Sequence, residues 1–175
     1  MFQAMTEGNK SLDHITVREL CETAGINRSS FYAHYRDVFD VMERVEATMA
    51  KGLTEAFLEK LNSGADIGGC FEALFSYIGE YRSFYAFYFG QSRGPGVIGV
   101  AWELLQDRLA RVDYREYGYQ TEEELSYHGE FFLFGLTAML RRWVNNGCPE
   151  SPHELYGILC RQYSPDTRLF LWGEK

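Results

Sequence analysis

Apolar residues recur at helical spacing along almost the whole chain. Val38, Met42, Val45, Met49, Leu53, Phe57 and Leu61 fall at three- and four-residue steps, predicting one helix of more than twenty residues with a single apolar stripe. Asp37 stands before it as an N-cap, and "NSGADIGG" at 62–69 breaks it. Upstream, Thr16-x-x-Glu19 reads as a capping box opening "VRELCETA", with Gly25 at the C′ position and Asn27 capping a second short helix from Arg28. Residues 70–89 read as an aromatic-rich helix closed by "GQSRGPG" at 90–96, and a further helix is expected over 97–117. Thr121-x-x-Glu124 is another capping box, leading into a helix stopped by Gly147 and Pro149. Ser151-Pro152-x-Glu154 opens the next with cap, N1 proline and N3 acid. Residues 1–8 supply one or two turns, and Leu169, Phe170, Leu171 and Trp172 in the irregular tail are expected to fold back. Strand alternation and internal repeats are absent, so the fold class is all-α.

Composition fits that reading. Of 175 residues, 46% are hydrophobic and 16% aromatic, ample for a sizeable core. The longest apolar run, "FFLFGLTAML" at 131–140, is about half the length a membrane span needs. With no apolar leader at the N-terminus, the expectation is a cytoplasmic protein without a membrane partner. Cys21, Cys70, Cys148 and Cys160 match no metal or redox spacing and are expected to be reduced thiols. No metal site or cofactor is implied.

Net charge is −8, and residues 1–50 hold five Lys/Arg against eight Asp/Glu. General adhesion to polyanions is therefore excluded, and any nucleic-acid contact must come from a local patch. "INRSSFYAHYR" at 26–36 is such a patch: two arginines, two serines, aromatics and no acid. Two short helices joined by a glycine turn make a helix-turn-helix, whose second helix meets base edges in the major groove. Arg28 suits guanine, and Ser29 and Ser30 suit bases or phosphates. Tyr32, His34 and Arg36 fan around the helix to grip the groove walls, while Phe31 and Tyr35, four apart, pack inward.

The stretch "ITVRELCETAGINRSSFYAHYRD" resembles the signature of the TetR family of bacterial transcriptional regulators. The likeness rests on Thr16, on Gly25-Ile26-Asn27, and on Phe31-Tyr32-Ala33-His34-Tyr35. It implies a homodimer that binds double-stranded operator DNA as a repressor, released when a small effector enters the C-terminal domain. It also places Thr16, Tyr32 and His34 against phosphates, and Arg28, Ser29 and Ser30 against bases. The implied organisation is a DNA-binding region at 1–37, a connecting helix at 38–62, and an effector-binding and dimerisation domain at 63–175. Two departures occur. Val38 stands where the family usually has lysine, and few residues precede Ile15 for a first helix. They motivate an alternative, a family member with weak or lost DNA binding that acts as a co-activator through a protein partner.

Tyr77, Tyr81, Phe84, Tyr85 and Tyr88 are dense enough to wall an effector cavity, with Trp102 and His128 as further candidates; plain core packing is the competing reading. For the dimer, Phe132, Leu136, Met139 and Trp143 form a stripe, with Gly135 allowing close approach and Leu155 and Leu159 added by the following helix. Phe131, Phe134 and Leu140 leave apolar surface on other faces. No catalytic motif is present, and the histidines are scattered, so the expectation is not an enzyme.

Overall fold

The computed structural model describes residues 12–90 and 113–162. Seven α-helices lie within them: α1 (Val17–Ala24), α2 (Arg28–Tyr32), α3 (Val38–Asn62), α4 (Ile67–Glu80), α5 (Arg82–Gly90), α6 (Glu122–Asn145) and α7 (Pro152–Arg161). Short 3-10 turns cover Leu12–His14 and Tyr114–Tyr117, and no strand occurs among the described residues. The protein is all-α.

Caps place the helix starts. Thr16 closes a full capping box with Glu19, Asn27 accepts from the Ser30 N–H, and Asp37 accepts from the Asp40 N–H. Each satisfies amide donors that the first turn leaves without a partner. Gly25 takes the left-handed conformation (φ 68) that ends α1 and turns the chain into α2. Ser151 and Glu154 complete the box at α7. At α6, Thr121 caps through Glu124, but the Glu124 carboxylate accepts from the Gln120 N–H, a variant of the expected box.

Helix α3 packs along α4, α4 along α7, and α5 along α6. Phe71 of α4 stands where these meet, with ring contacts to Phe57 of α3, Phe132 of α6 and Tyr156 of α7. Gly68 lets the Tyr156 ring lie against α4; a Cβ there would come within 2.9 Å of it. Phe75 and Ile78 complete a core that runs without a break from Leu12 to Leu159. The Trp143 indole N–H donates to the Glu150 carbonyl at 3.0 Å, tying the end of α6 to the approach of α7.

Three expectations change. The single helix over 70–89 is two, because Tyr81 (φ −98, ψ 29) leaves helical geometry and its carbonyl accepts from Phe84 and Tyr85 to start α5. The helix expected over 97–117 lies largely outside the described residues. What is described of it, Tyr114–Tyr117, is a 3-10 turn capped by Asp113 and closed by Gly118. The second short helix stops at Tyr32, so His34 and Arg36 sit in the turn beyond it and do not fan around a helix. The leading turns over 1–8 and the apolar tail at 169–172 lie outside the described residues. No helix among those described is long and apolar enough to cross a membrane.

Candidate nucleic-acid interface

Helix α2 is a single short helix held from beneath. Phe31 is buried, and its ring meets Tyr32 edge-on at 5.3 Å and Tyr35 at 5.5 Å. With that side anchored, Arg28, Ser29, Ser30 and Tyr32 are exposed together, Tyr32 at 59%. His34 and Arg36 continue the exposed face along the following turn. The Ser29 hydroxyl donates to Asn27 Oδ1 at 3.0 Å, the acceptor that also caps α2. Ser29 is thereby oriented, and its oxygen keeps lone pairs for a further partner. Thr16 is exposed, with its hydroxyl engaged in the capping box with Glu19.

Nearby acids are occupied. Glu19 is in that box, Glu22 pairs with Arg18 at 2.8 Å, and Asp37 caps α3. The face from Ile26 to Arg36 carries no acid at all. A chain of net charge −8 thus presents a local cationic and hydroxyl-rich surface.

Two residues at this site escaped the sequence reading. Asp40, in the first turn of α3, is 8% exposed, and its Oδ2 accepts from the Arg36 main-chain N–H at 2.9 Å. Its Oδ1 faces Arg44 Nε at 3.3 Å, and the Arg44 guanidinium lies 5.1 Å from the Tyr35 ring centroid. The Arg36 N–H holds the Asp40 carboxyl below its usual range, helped by Arg44 and opposed by burial. The available signals were an acid at N3 of a capped helix and an Asp–Arg pair at i, i+4.

The aromatic group proposed around an effector is carried by two consecutive helices, α4 and α5, and the residue between them. The Tyr77 ring lies on Gly52 of α3, its hydroxyl donating weakly to Met49 Sδ at 3.8 Å, and meets the partly exposed Tyr81 ring at 4.7 Å with the planes tilted by 45°. Phe84, Tyr85 and Tyr88 are buried on α5, Phe84 stacked on Tyr88. Tyr85 is 1% exposed with no hydrogen-bond partner for its hydroxyl, and burial pushes its pKa up strongly, keeping it a phenol. His128 is half-buried on α6 beside Tyr119 at 5.7 Å, and burial lowers its pKa. Trp102 lies outside the described residues.

The dimer stripe read from α6 requires correction. Phe132, Leu136, Trp143, Leu155 and Leu159 are buried inside this one chain, so they are closed to a partner. Periodicity marks an apolar face without saying whether it turns to the chain's own core or outward. Gly135 is exposed and Met139 half-buried. The outward apolar residues of α6 are Tyr127 (64%), Phe131 (75%) and Phe134 (71%). Beside Glu150, helix α7 carries an open groove of about 430 Å³ lined by His153, Glu154, Gly157, Ile158 and Arg161.

A capped helix pair with an exposed cationic second member, joined through one long helix to a helical body, is the architecture of a helix-turn-helix regulator. A family model for a transcriptional regulator C-terminal region, of the TetR type, matches residues 66–162. The chain belongs to the TetR family of transcriptional regulators. It is also 28% identical over 171 residues to YxbF of Bacillus subtilis strain 168, an uncharacterised HTH-type transcriptional regulator. That match covers 95% of this chain but 44% of YxbF, so the chain spans less than half the length of this relative.

Proposed function

We propose that the chain is a homodimeric DNA-binding repressor whose grip on its operator is released by a small effector. The observation that carries the reading is the acid-free face of Arg28, Ser29, Ser30, Tyr32, His34 and Arg36, backed by the buried Phe31. In this reading Arg28 and the two serines read bases, while Tyr32, His34, Arg36 and Thr16 hold phosphates. Thr16 does so by sharing a hydroxyl already used in capping. Residues 1–37 form the reading head, α3 the connection, and the remainder the effector and dimerisation body.

Two heads about 34–36 Å apart meet successive major grooves of a near-palindromic site. Dimerisation uses the outward aromatic edge of α6, at Tyr127, Phe131 and Phe134. The effector site lies toward Tyr77, Tyr81 and α5, where Tyr85 holds an unused hydrogen-bond donor. Ligand there favours a head spacing that fits DNA less well.

Selection from a library of random duplexes, followed by anisotropy titration, tests the reading. An enriched near-palindrome is expected, and Arg28→Ala should weaken binding to it by about 1–3 kcal/mol and relax base preference at one position per half-site. Failure of any sequence to enrich would remove the proposal.

A further inference from the structure

Asp40 is the one polar or charged side chain in the buried set among the described residues. A carboxylate withdrawn from water is tolerated only when its oxygens are matched by donors. Here Oδ2 takes the Arg36 N–H at 2.9 Å, with Arg36 Nε at 3.9 Å, and Oδ1 takes Arg44 Nε at 3.3 Å.

Asp40 stands at N3 of α3 and closes the same variant capping box as Glu124 at α6, but its carboxylate is also buried and held by Arg44. The Asp37 side chain receives the Asp40 N–H at 2.9 Å. Asp40 reaches backward, across the turn of residues 33–37 that joins α2 to α3. That turn reads Ala-His-Tyr-Arg-Asp. It holds neither glycine nor proline, so its own sequence does little to set the angle between the helices. The angle is set by attachment: Asp40 grips the Arg36 main chain and also Arg44, and Arg44 lies over Tyr35. Tyr35 in turn packs on Phe31, the residue that anchors α2.

We propose that Asp40 is a positioning residue for DNA recognition, fixing through Arg36 and Arg44 the angle at which α2 is presented to the groove. It touches no base or phosphate itself. The proposal rests on the reading of α2 as the groove-facing helix, and the test separates the two.

The probe is the fluorescent duplex that the wild-type chain selects from a random library. Asp40→Ala is expected to weaken binding about ten-fold or more, at wild-type helix content by circular dichroism. The loss should be larger on the selected duplex than on a random one, since the presentation angle governs base readout more than general attraction to phosphates. Amide exchange should quicken across residues 28–36 while α4 to α7 keep their protection. Asp40→Asn keeps an acceptor for the Arg36 N–H and loses the charge facing Arg44, so it should fall between; it also serves if the alanine variant does not fold. Arg28→Ala is the control for the groove reading. If Arg28→Ala weakens binding while both Asp40 variants stay within about two-fold of wild type, the positioning role is overturned and the groove reading stands. Binding unchanged in all three variants removes both. An equal loss on the selected and the random duplex for Asp40→Ala also overturns the proposal, because it marks a general loss of attraction and not a changed angle.

Discussion

Replacing Phe131 and Phe134 together by serine tests which face of α6 meets a partner. The rings are 75% and 71% exposed in the single chain. Taking about 200 Å² for a fully exposed aromatic side chain, a partner covering both would remove roughly 290 Å² of mostly apolar surface per protomer. At about 25 cal/mol per Å² that is roughly 7 kcal/mol per protomer, doubled by two-fold symmetry. Ordering and association costs absorb most of such a sum, so about a third, some 4–5 kcal/mol, is the reasonable net loss. The dimer dissociation constant should therefore rise by a factor of roughly one thousand or more. Sedimentation equilibrium over a concentration series reads this directly, and the thermal midpoint of the isolated protomer should hardly move. Leu136→Ala should behave in the opposite way, costing about 2–5 kcal/mol of folding stability because that side chain is buried in its own protomer. A wild-type protein that sediments as a monomer, or a double variant that dimerises as tightly as wild type, would refute the assignment of this face.

Two further changes probe the body of the molecule. Tyr85→Phe deletes a buried hydroxyl that has no partner, and should raise stability in urea titration by about 1 kcal/mol; a loss of that size would mean the hydroxyl is bonded. Gly52→Ala sets a Cβ into the Tyr77 ring, with Cζ at 2.6 Å, and should cost about 1–3 kcal/mol despite the better helix propensity of alanine. Combining it with Tyr77→Leu should recover most of that loss, and a double-mutant cycle with no coupling between the two would disprove the contact.

Much of the fold was legible because it is written in local chemistry. Thr16, Asn27, Asp37, Thr121 and Ser151 each declare a helix start within three residues, and the caps observed stand at those positions. The stripe from Val38 to Leu61 likewise marked α3, which runs to Asn62. The break at Tyr81 was not legible, because the nearest punctuation, Gly79, lies inside α4 itself and no proline occurs from Tyr77 to Phe89. Helix α6 misled for a different reason: it is apolar on two sides, and spacing alone cannot rank them. In the interface, the exposed cationic face follows from residue types in sequence. Asp40 required coordinates, since burial of an acid depends on neighbours that periodicity does not name. The short contact between His153 Nδ1 and Glu72 Oε1, 2.6 Å across 81 positions of chain, lay beyond any local rule.

Helix α3 has a mechanical consequence. Its 25 residues make a rod about 37 Å long, gripped near one end by Asp40 and pressed at mid-length by the Tyr77 ring on Gly52. Tilting such a rod by about 5° about its far end swings the near end through about 3 Å, comparable to a hydrogen-bond length. Small displacements around Tyr77 are therefore magnified where the chain would meet its target, and a modest wedge suffices to spoil a fit.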